Sequence, residues 1–456
     1  MPATRTRRGV PVARGAGRVV PVTLAALVAV LVVLVGASGA AALAAEAPPN
    51  PKACRYNNPA IKTLTAQQAA APTVPEQLLH LSEAQQFSRG DGVVVAVVDS
   101  GVDANHEQLA GHVAEGWDLT SGKPVKGART DCAGHGTAVA GLIVAQPSPG
   151  RAFVGVAPEA SILPVRESWG VDDNGRDTQS SADTLIRAIR VAVTSGAKVV
   201  NVSVTVPDVQ LRQSQRDAFN EVAQEASDRD VLIVAASGNR SQYSDLAGQQ
   251  FTTYPAVLAT WYRNVVAVSG VKPDRTADDD AITGSFITVA APDRDFPTSF
   301  THGGLVYVGH GTSYAAPLVS GVAALIRSRY PALSAAAVRD RIEQTADHPS
   351  TRLPDPQVGF GIIDPVAALT AVLVPPRPQP SPKPAALGVV TPYQPAFKDV
   401  ALWTAGSAVL LTGLLVFGVD VLQRSRRRRA GIGLSPARPP ASRSAVRSGS
   451  GGRPGG

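Results

Sequence analysis

The 456-residue chain holds only two cysteines, Cys54 and Cys132. They permit one intramolecular pairing and no more. A second cysteine pair is missing, and so is any H-E-x-x-H run, so no common zinc pattern is present and no metal is expected. Cys54 has no lipobox before it, which argues against a lipid anchor. Internal repeats are absent. The isoelectric point of about 9.6 resembles that of a nucleic-acid binder, but the middle of the chain lacks the basic excess such binding needs. Residues 91–372 carry 22 basic and 31 acidic side chains, a charge of −9 against +7 for the whole chain. Five arginines lie in residues 1–45 and nine in residues 423–456. That distribution reports targeting and membrane topology, and nucleic acid is not expected as a partner.

What is present at the ends reads accordingly. Arg5, Arg7, Arg8, Arg14 and Arg18 precede an apolar run from Val19 to Val35, and small residues follow from Ala40 to Ala45. Residues 1–45 are therefore expected to be a secretory signal peptide, with an uncleaved anchor helix as the alternative. Near the other end, Val400 to Val419 is 20 residues without a charge. That length crosses a hydrocarbon core of about 30 Å. Trp403 stands near one end, and Arg424 with Arg426 to Arg429 follows the other. The positive-inside rule puts the arginines in the cytoplasm and the bulk of the chain outside. The expected boundaries are an N-terminal extension at 46–90, a Pro-rich linker at 373–398, a transmembrane helix at 399–422 and a basic, disordered cytoplasmic tail at 423–456. The bilayer is met through Val400–Leu422. The linker composition favours a stiff, extended spacer.

Between these ends, apolar β-branched runs alternate with helix-like stretches. Val93–Val98, Lys198–Val204, Val231–Ala236 and Val265–Val268 read as strands, and Ala182–Thr194 and Gln213–Arg229 as helices. A short helix is also expected around Pro75–Phe87. Continuous apolar strands between amphipathic helices predict an α/β fold with a mainly parallel sheet covered on both faces.

Three segments carry candidate chemistry. V-V-V-A-V-V-D-S-G-V-D (93–103) sets Asp99 at the end of a strand, where α/β active sites form; Asp103, beyond the glycine, suits a turn. D-C-A-G-H-G-T-A-V-A-G-L-I (131–143) sets His135 between glycines at the start of a small-residue helix. V-G-H-G-T-S-Y-A-A-P-L-V-S-G-V-A-A-L-I (308–326) sets Ser313 at a helix N-terminus. Alone, Asp99 is a turn residue, His135 a structural histidine and Ser313 a helix cap. Together they supply what a nucleophilic serine requires: a base to take its proton and a carboxylate to orient that base. S-G-N (237–239), after an apolar strand, offers the Asn239 amide as a donor to a developing oxyanion. The other histidines, among them His106 and His310, read as structural or solvated. The acidic run Asp278–Asp279–Asp280 reads as a solvated turn.

D-S-G, H-G-T and G-T-S-Y-A-A-P, in the order Asp, His, Ser, resemble the subtilisin-like serine proteases. G-V-A-P-E-A-S-I-L-P-V-R (155–166), A-A-S-G-N (235–239) and V-G-F-G-I-I-D (358–364) fit that pattern too. The signal peptide, spacer, membrane helix and D-C-A-G-H-G-T look more narrowly like the mycosins, subtilases of type VII secretion systems. The resemblance implies a three-layer α/β/α peptidase domain over residues 91–372, without a cofactor. It implies Asp99, His135 and Ser313 as the triad and Asn239 as the oxyanion donor. It further implies a Cys54–Cys132 disulfide tying down the N-terminal extension, protein or peptide substrates outside the membrane, and secretion-complex partners. Mycosin relatives are associated with both cleavage and a structural role in the secretion complex, so either is open here. Three features depart from the family. Asn201–Val202–Ser203–Val204–Thr205 stands where subtilisins show Ser-Leu-Gly beside the substrate groove, the chain has no cysteines for the second disulfide that mycosins often carry, and no subtilisin-type calcium loop is evident.

Overall fold

A computed structural model describes residues 63–170, 181–301, 303–350, 352–373 and the helical Phe417. The chain divides between Leu373 and Val374 into two units, and the fold below belongs to the first. The predicted signal peptide, Cys54, most of the linker and the basic tail lie outside the described residues, as does the predicted span Val400–Leu422 apart from Phe417. Among the described residues no helix is long and apolar enough to cross a membrane.

The strands are β1 (Val94–Asp99), β2 (Trp117–Asp118), β3 (Val125–Lys126), β4 (Ser161–Arg166), β5 (Val199–Val202), β6 (Val206–Pro207), β7 (Leu232–Ala236), β8 (Thr253–Tyr254), β9 (Val265–Val271), β10 (Val289–Pro292), β11 (Pro297–Ser299) and β12 (Leu305–Tyr307). The α-helices are α1 (Ala66–Ala69), α2 (Val74–Leu79), α3 (Leu81–Ala84), α4 (His135–Val144), α5 (Ala182–Thr194), α6 (Gln213–Asp228), α7 (Thr312–Arg329), α8 (Ala335–Thr345) and α9 (Pro365–Thr370). Eight strands form one sheet in the order β10-β9-β7-β5-β1-β4-β2-β3. Every pairing in it is parallel except β2 with β3.

The apolar strands are two-faced despite reading as continuous runs. Val95 and Val97 of β1 join the core under α4, α7 and α8, while Ala96 and Val98 join the core under α5 and α6. Leu232 and Val234 against Ile233 and Ala235 repeat the alternation on β7. The period of two directs successive side chains to opposite faces, so a parallel strand between two helical layers needs apolar residues at every position. The result is the predicted α/β/α sandwich.

The region around Pro75–Phe87 is two helices, not one. His80 breaks it by taking a left-handed φ of 50°. Residues 63–90, expected as part of an extension, pack onto the rest of this unit. The Leu64 N–H donates to the Leu305 carbonyl on β12 (2.8 Å), and Ala69, Leu79, Leu81 and Ala84 enter the core.

Candidate active site

Parallel strands all end at one edge of the sheet, and the three candidate residues gather there. Asp99 is the last residue of β1, His135 the first of α4 and Ser313 the second of α7. Asp99 is 2% exposed. His135 Nδ1 lies 2.8 and 3.0 Å from its two carboxylate oxygens. On the far side of the ring, Nε2 lies 3.1 Å from Ser313 Oγ. A buried carboxylate accepts, so Nδ1 carries the proton and Nε2 is left to accept from the serine hydroxyl. Gly311, before α7, has φ of 152°, and a Cβ there would sit 3.0 Å from Asn239 Nδ2 and 3.4 Å from Ser313 Oγ. Only glycine combines that backbone with that approach.

Asn239 follows β7 and is 6% exposed. Its Oδ1 accepts the Thr312 N–H at 3.0 Å and the Thr312 hydroxyl at 3.3 Å. That fixes the amide orientation, with the NH2 group turned toward Gly311 and Ser313. All four residues singled out in the sequence therefore meet in one place. Asp103 is elsewhere: its carboxylate accepts the Asn105 N–H two residues on, the turn-making role expected of it.

A family model described as the subtilase family, peptidase S8, matches residues 90–361. Mycosin-4 of Mycobacterium tuberculosis is 32% identical over 414 residues, 85% of this chain and 90% of the relative. The MycP3 protease from the type VII (ESX-3) secretion system has a TM-score of 0.58 at 31% identity, covering 68% of this chain and 92% of that one. A chain in the structure of an intact ESX-5 inner membrane complex has a TM-score of 0.59 at 30% identity, covering 80% of this chain and 93% of that one. The chain belongs to the subtilase family and is of the mycosin type.

This subtilase is a serine endopeptidase, and its site leans on residues that the sequence reading did not single out. Asp131, four positions before His135, is 2% exposed. Its Oδ1 accepts the Ala133 and Gly134 N–H groups at 3.0 and 2.9 Å, and its Oδ2 accepts the Thr137 N–H at 2.8 Å and hydroxyl at 2.6 Å. It thus fills one open donor in the first turn of α4, at Thr137, and two in the turn that leads into it. Burial pushes its carboxyl above the ordinary range against those donors, and the nearby charge of Asp99 adds to the push. The Ser100 hydroxyl stands between the two acids, 3.2 Å from Asp99 and 2.9 Å from Asp131, and accepts the Gly136 N–H at 3.1 Å.

Ser313 is held from behind. Pro317 has no N–H to give the Ser313 carbonyl four residues earlier. The Ser203 hydroxyl donates to that carbonyl instead, at 2.8 Å. Ser203 in turn accepts from Asn201 Nδ2 at 2.9 Å, and Asn201 Oδ1 accepts the Ser320 hydroxyl at 2.9 Å. The segment expected to edge the groove therefore also braces the nucleophile's helix.

The acidic run differs from its reading as a solvated turn. Asp279 is exposed and pairs with Lys272, but Asp278 is 3% exposed and forms an ion pair with Arg294. The cause is the chain path: the Asp278 N–H donates to the Gly270 carbonyl at the end of β9, which draws its side chain inward. Among the described residues no group of His, Cys, Asp or Glu is arranged to hold a metal ion. No free cysteine is found among them; Cys132 sits three residues before His135, and Cys54 lies outside them.

Proposed function

We propose that Ser313 is the nucleophile, His135 the general base and then acid, and Asp99 the group that orients it, in a peptidase that cleaves proteins outside the membrane. The observation that carries this reading is the His135 ring, with Asp99 on one nitrogen and Ser313 on the other. Free serine is a weak nucleophile; transfer of its proton to Nε2 as the bond to the scissile carbonyl forms makes attack feasible. Asp99 stabilises the imidazolium. The tetrahedral oxyanion is met by Asn239 Nδ2 and the Ser313 N–H. His135 then returns the proton to the leaving amine, and water releases the acyl group by the same steps. Fluorophosphonate labelling tests the assignment: wild type is expected to label and cleave a sensitive peptide panel, and Ser313→Ala to do neither. Cleavage at the wild-type rate by Ser313→Ala would refute it.

The proposal includes the setting. Residues 1–45 act as a leader, 46–90 form an extension, 373–398 a spacer and 399–422 a single membrane span, with 423–456 in the cytoplasm. Cys54 pairs with Cys132. The mycosin relatives support substrates exported by a type VII secretion system and partners within its membrane complex. A second reading makes the chain chiefly a structural component of that complex, and it is supported by the similarity to a chain of an ESX-5 inner membrane complex over 80% of this sequence. Complementation of a deletion strain separates the two. Rescue by Ser313→Ala, with no rescue by a chain lacking residues 400–422, favours the structural role.

A further inference from the structure

Behind the site lies a buried acidic pair that the proposed reaction does not use. Asp293 follows β10 and is 0% exposed; Asp278 is 3% exposed. The two carboxyl groups are within hydrogen-bond reach of each other. Arg294 serves both, donating from Nε to Asp293 at 3.0 Å and pairing through its Nη2 with Asp278. Gly270 lets them close up, since a Cβ there would run into the Asp293 carboxylate.

Each acid belongs to a segment that holds one half of the oxyanion site. The Asp293 carbonyl accepts the Gly311 N–H at 3.2 Å, and Arg294 pairs antiparallel with His310, so this segment seats the turn into Ser313. Beyond Asp278, Ala281 pairs antiparallel with Asn239. The Asp280 carbonyl accepts the Arg240 N–H at 2.7 Å, and the Ile282 N–H donates to the Gly238 carbonyl at 2.9 Å. The acidic pair is where the two segments are joined.

We propose that Asp278 and Asp293 are positioning residues that lock the Asn239 loop to the Gly311–Ser313 turn, a role that rests on the peptidase reading above. The lock is a shared proton. Asp278 Oδ2 is buried and meets no N–H or hydroxyl donor. A second carboxylate cannot donate to it, but a carboxylic acid can. With one proton and Arg294 between them, the two acids are a neutral, closed unit. Burial, and next to it the pairing with Asp278, raises Asp293 to about 7, against the pull of Arg294. The other charges nearby are already engaged: Lys272 with Asp279, and His310 with Asp280 at 3.4 Å. Loss of the shared proton leaves two anions facing one guanidinium, and the segments move apart.

The test is the pH dependence of kcat and KM for a capped peptide substrate, measured on the full chain as wild type, Asp293→Asn and Asp278→Asn. Either amide supplies the missing donor without a titrating proton. His135 titrates in every form, so the readout is the ratio of wild-type to variant kcat. That ratio is expected to fall about fivefold between pH 6.5 and 8.5, a fraction of the loss caused by deleting an oxyanion donor. KM should move little, and the two variants should share one pH profile. Two substitutions are used so that either one, if folded by circular dichroism, decides the question. A ratio that stays flat for a folded variant overturns the inference alone. A wild type inactive at every pH overturns the peptidase reading beneath it.

Discussion

Asp99 and Asp131 are both buried carboxylates within reach of Ser100, yet they do different work. Asp99 faces His135 and accepts from Nδ1; Asp131 faces the backbone at the start of α4. The proposed reaction predicts that Asp99→Asn lowers kcat by about 10⁴, because the amide favours the wrong tautomer. Its melting temperature should stay near wild type, since the amide fills the same space. Asp131→Ala should behave in the opposite order. It strands several N–H groups at the foot of α4, at about 1–3 kcal/mol each where they stay buried. Urea denaturation is expected to show a large loss of stability, and a midpoint within error of wild type would refute the capping role. The sequence showed Asp131 in D-C-A-G-H-G-T without its purpose, because spacing alone does not say that a carboxylate turns back to cap the helix after it. Asp278 departs from the expected solvated turn for a related reason. Three consecutive aspartates look solvated, and only the path of the backbone decides which of them points inward.

At the scale of elements, the four strands and two long helices read from apolar runs and amphipathic stretches recur within two residues of their expected ends, except that β9 runs three residues past Val268 to Val271. β4 is not among the strands expected from apolar runs, and Pro164 interrupts it within Ser161–Arg166. The interruption is tolerated because β2 pairs with β4 only at Val165 and Arg166, so on that side Pro164 has no ladder bond to supply. A second proline shapes α7. Pro317 frees the Ser313 carbonyl, and Ser203 takes it over from the end of β5. The brace joins the sheet to the nucleophile's helix, so Ser203→Ala should cost about 1–3 kcal/mol for the orphaned carbonyl. It should also lower kcat more than KM, since the displaced group acts in the reaction and not in ground-state binding. A variant that loses stability with kcat unchanged would show that α7 tolerates the orphan without moving Ser313.

Across the whole molecule, pH is expected to act on stability through buried groups of opposite sign, His106 on one side and the carboxyls of Asp131 and Asp293 on the other. His106 is 1% exposed, and burial lowers its pKa from 6.5, with the Gly304 carbonyl pulling the other way. Its Nε2 donates to that carbonyl at 2.8 Å, while Nδ1 accepts the Gln108 N–H at 3.2 Å. The neutral ring thereby ties the chain after β1 to the β11–β12 turn, beside the place where Leu64 of the extension joins Leu305. As pH falls below 6.5 the unfolded chain takes up a proton that the folded one refuses, so this contribution is full above 6.5 and declines with acid. Asp293 has the reverse slope. Its folded pKa of about 7 lies above the ordinary 3.8, so the folded chain holds a proton between these values that the unfolded chain has lost. Stability from this group therefore falls as pH rises from 3.8 to about 7 and is level beyond. Thermal melting from pH 4.5 to 8.5 separates the two. His106→Gln keeps the donor to Gly304 but cannot be charged, and should flatten the fall in melting temperature on the acid side of 6.5. Asp293→Asn should remove its own share of the loss between 4.5 and 7, leaving a curve that rises more steeply toward neutrality than wild type. If His106→Gln melts in parallel with wild type below pH 6.5, the acid sensitivity belongs to other groups and the tie between the β11–β12 turn and the chain after β1 does not titrate.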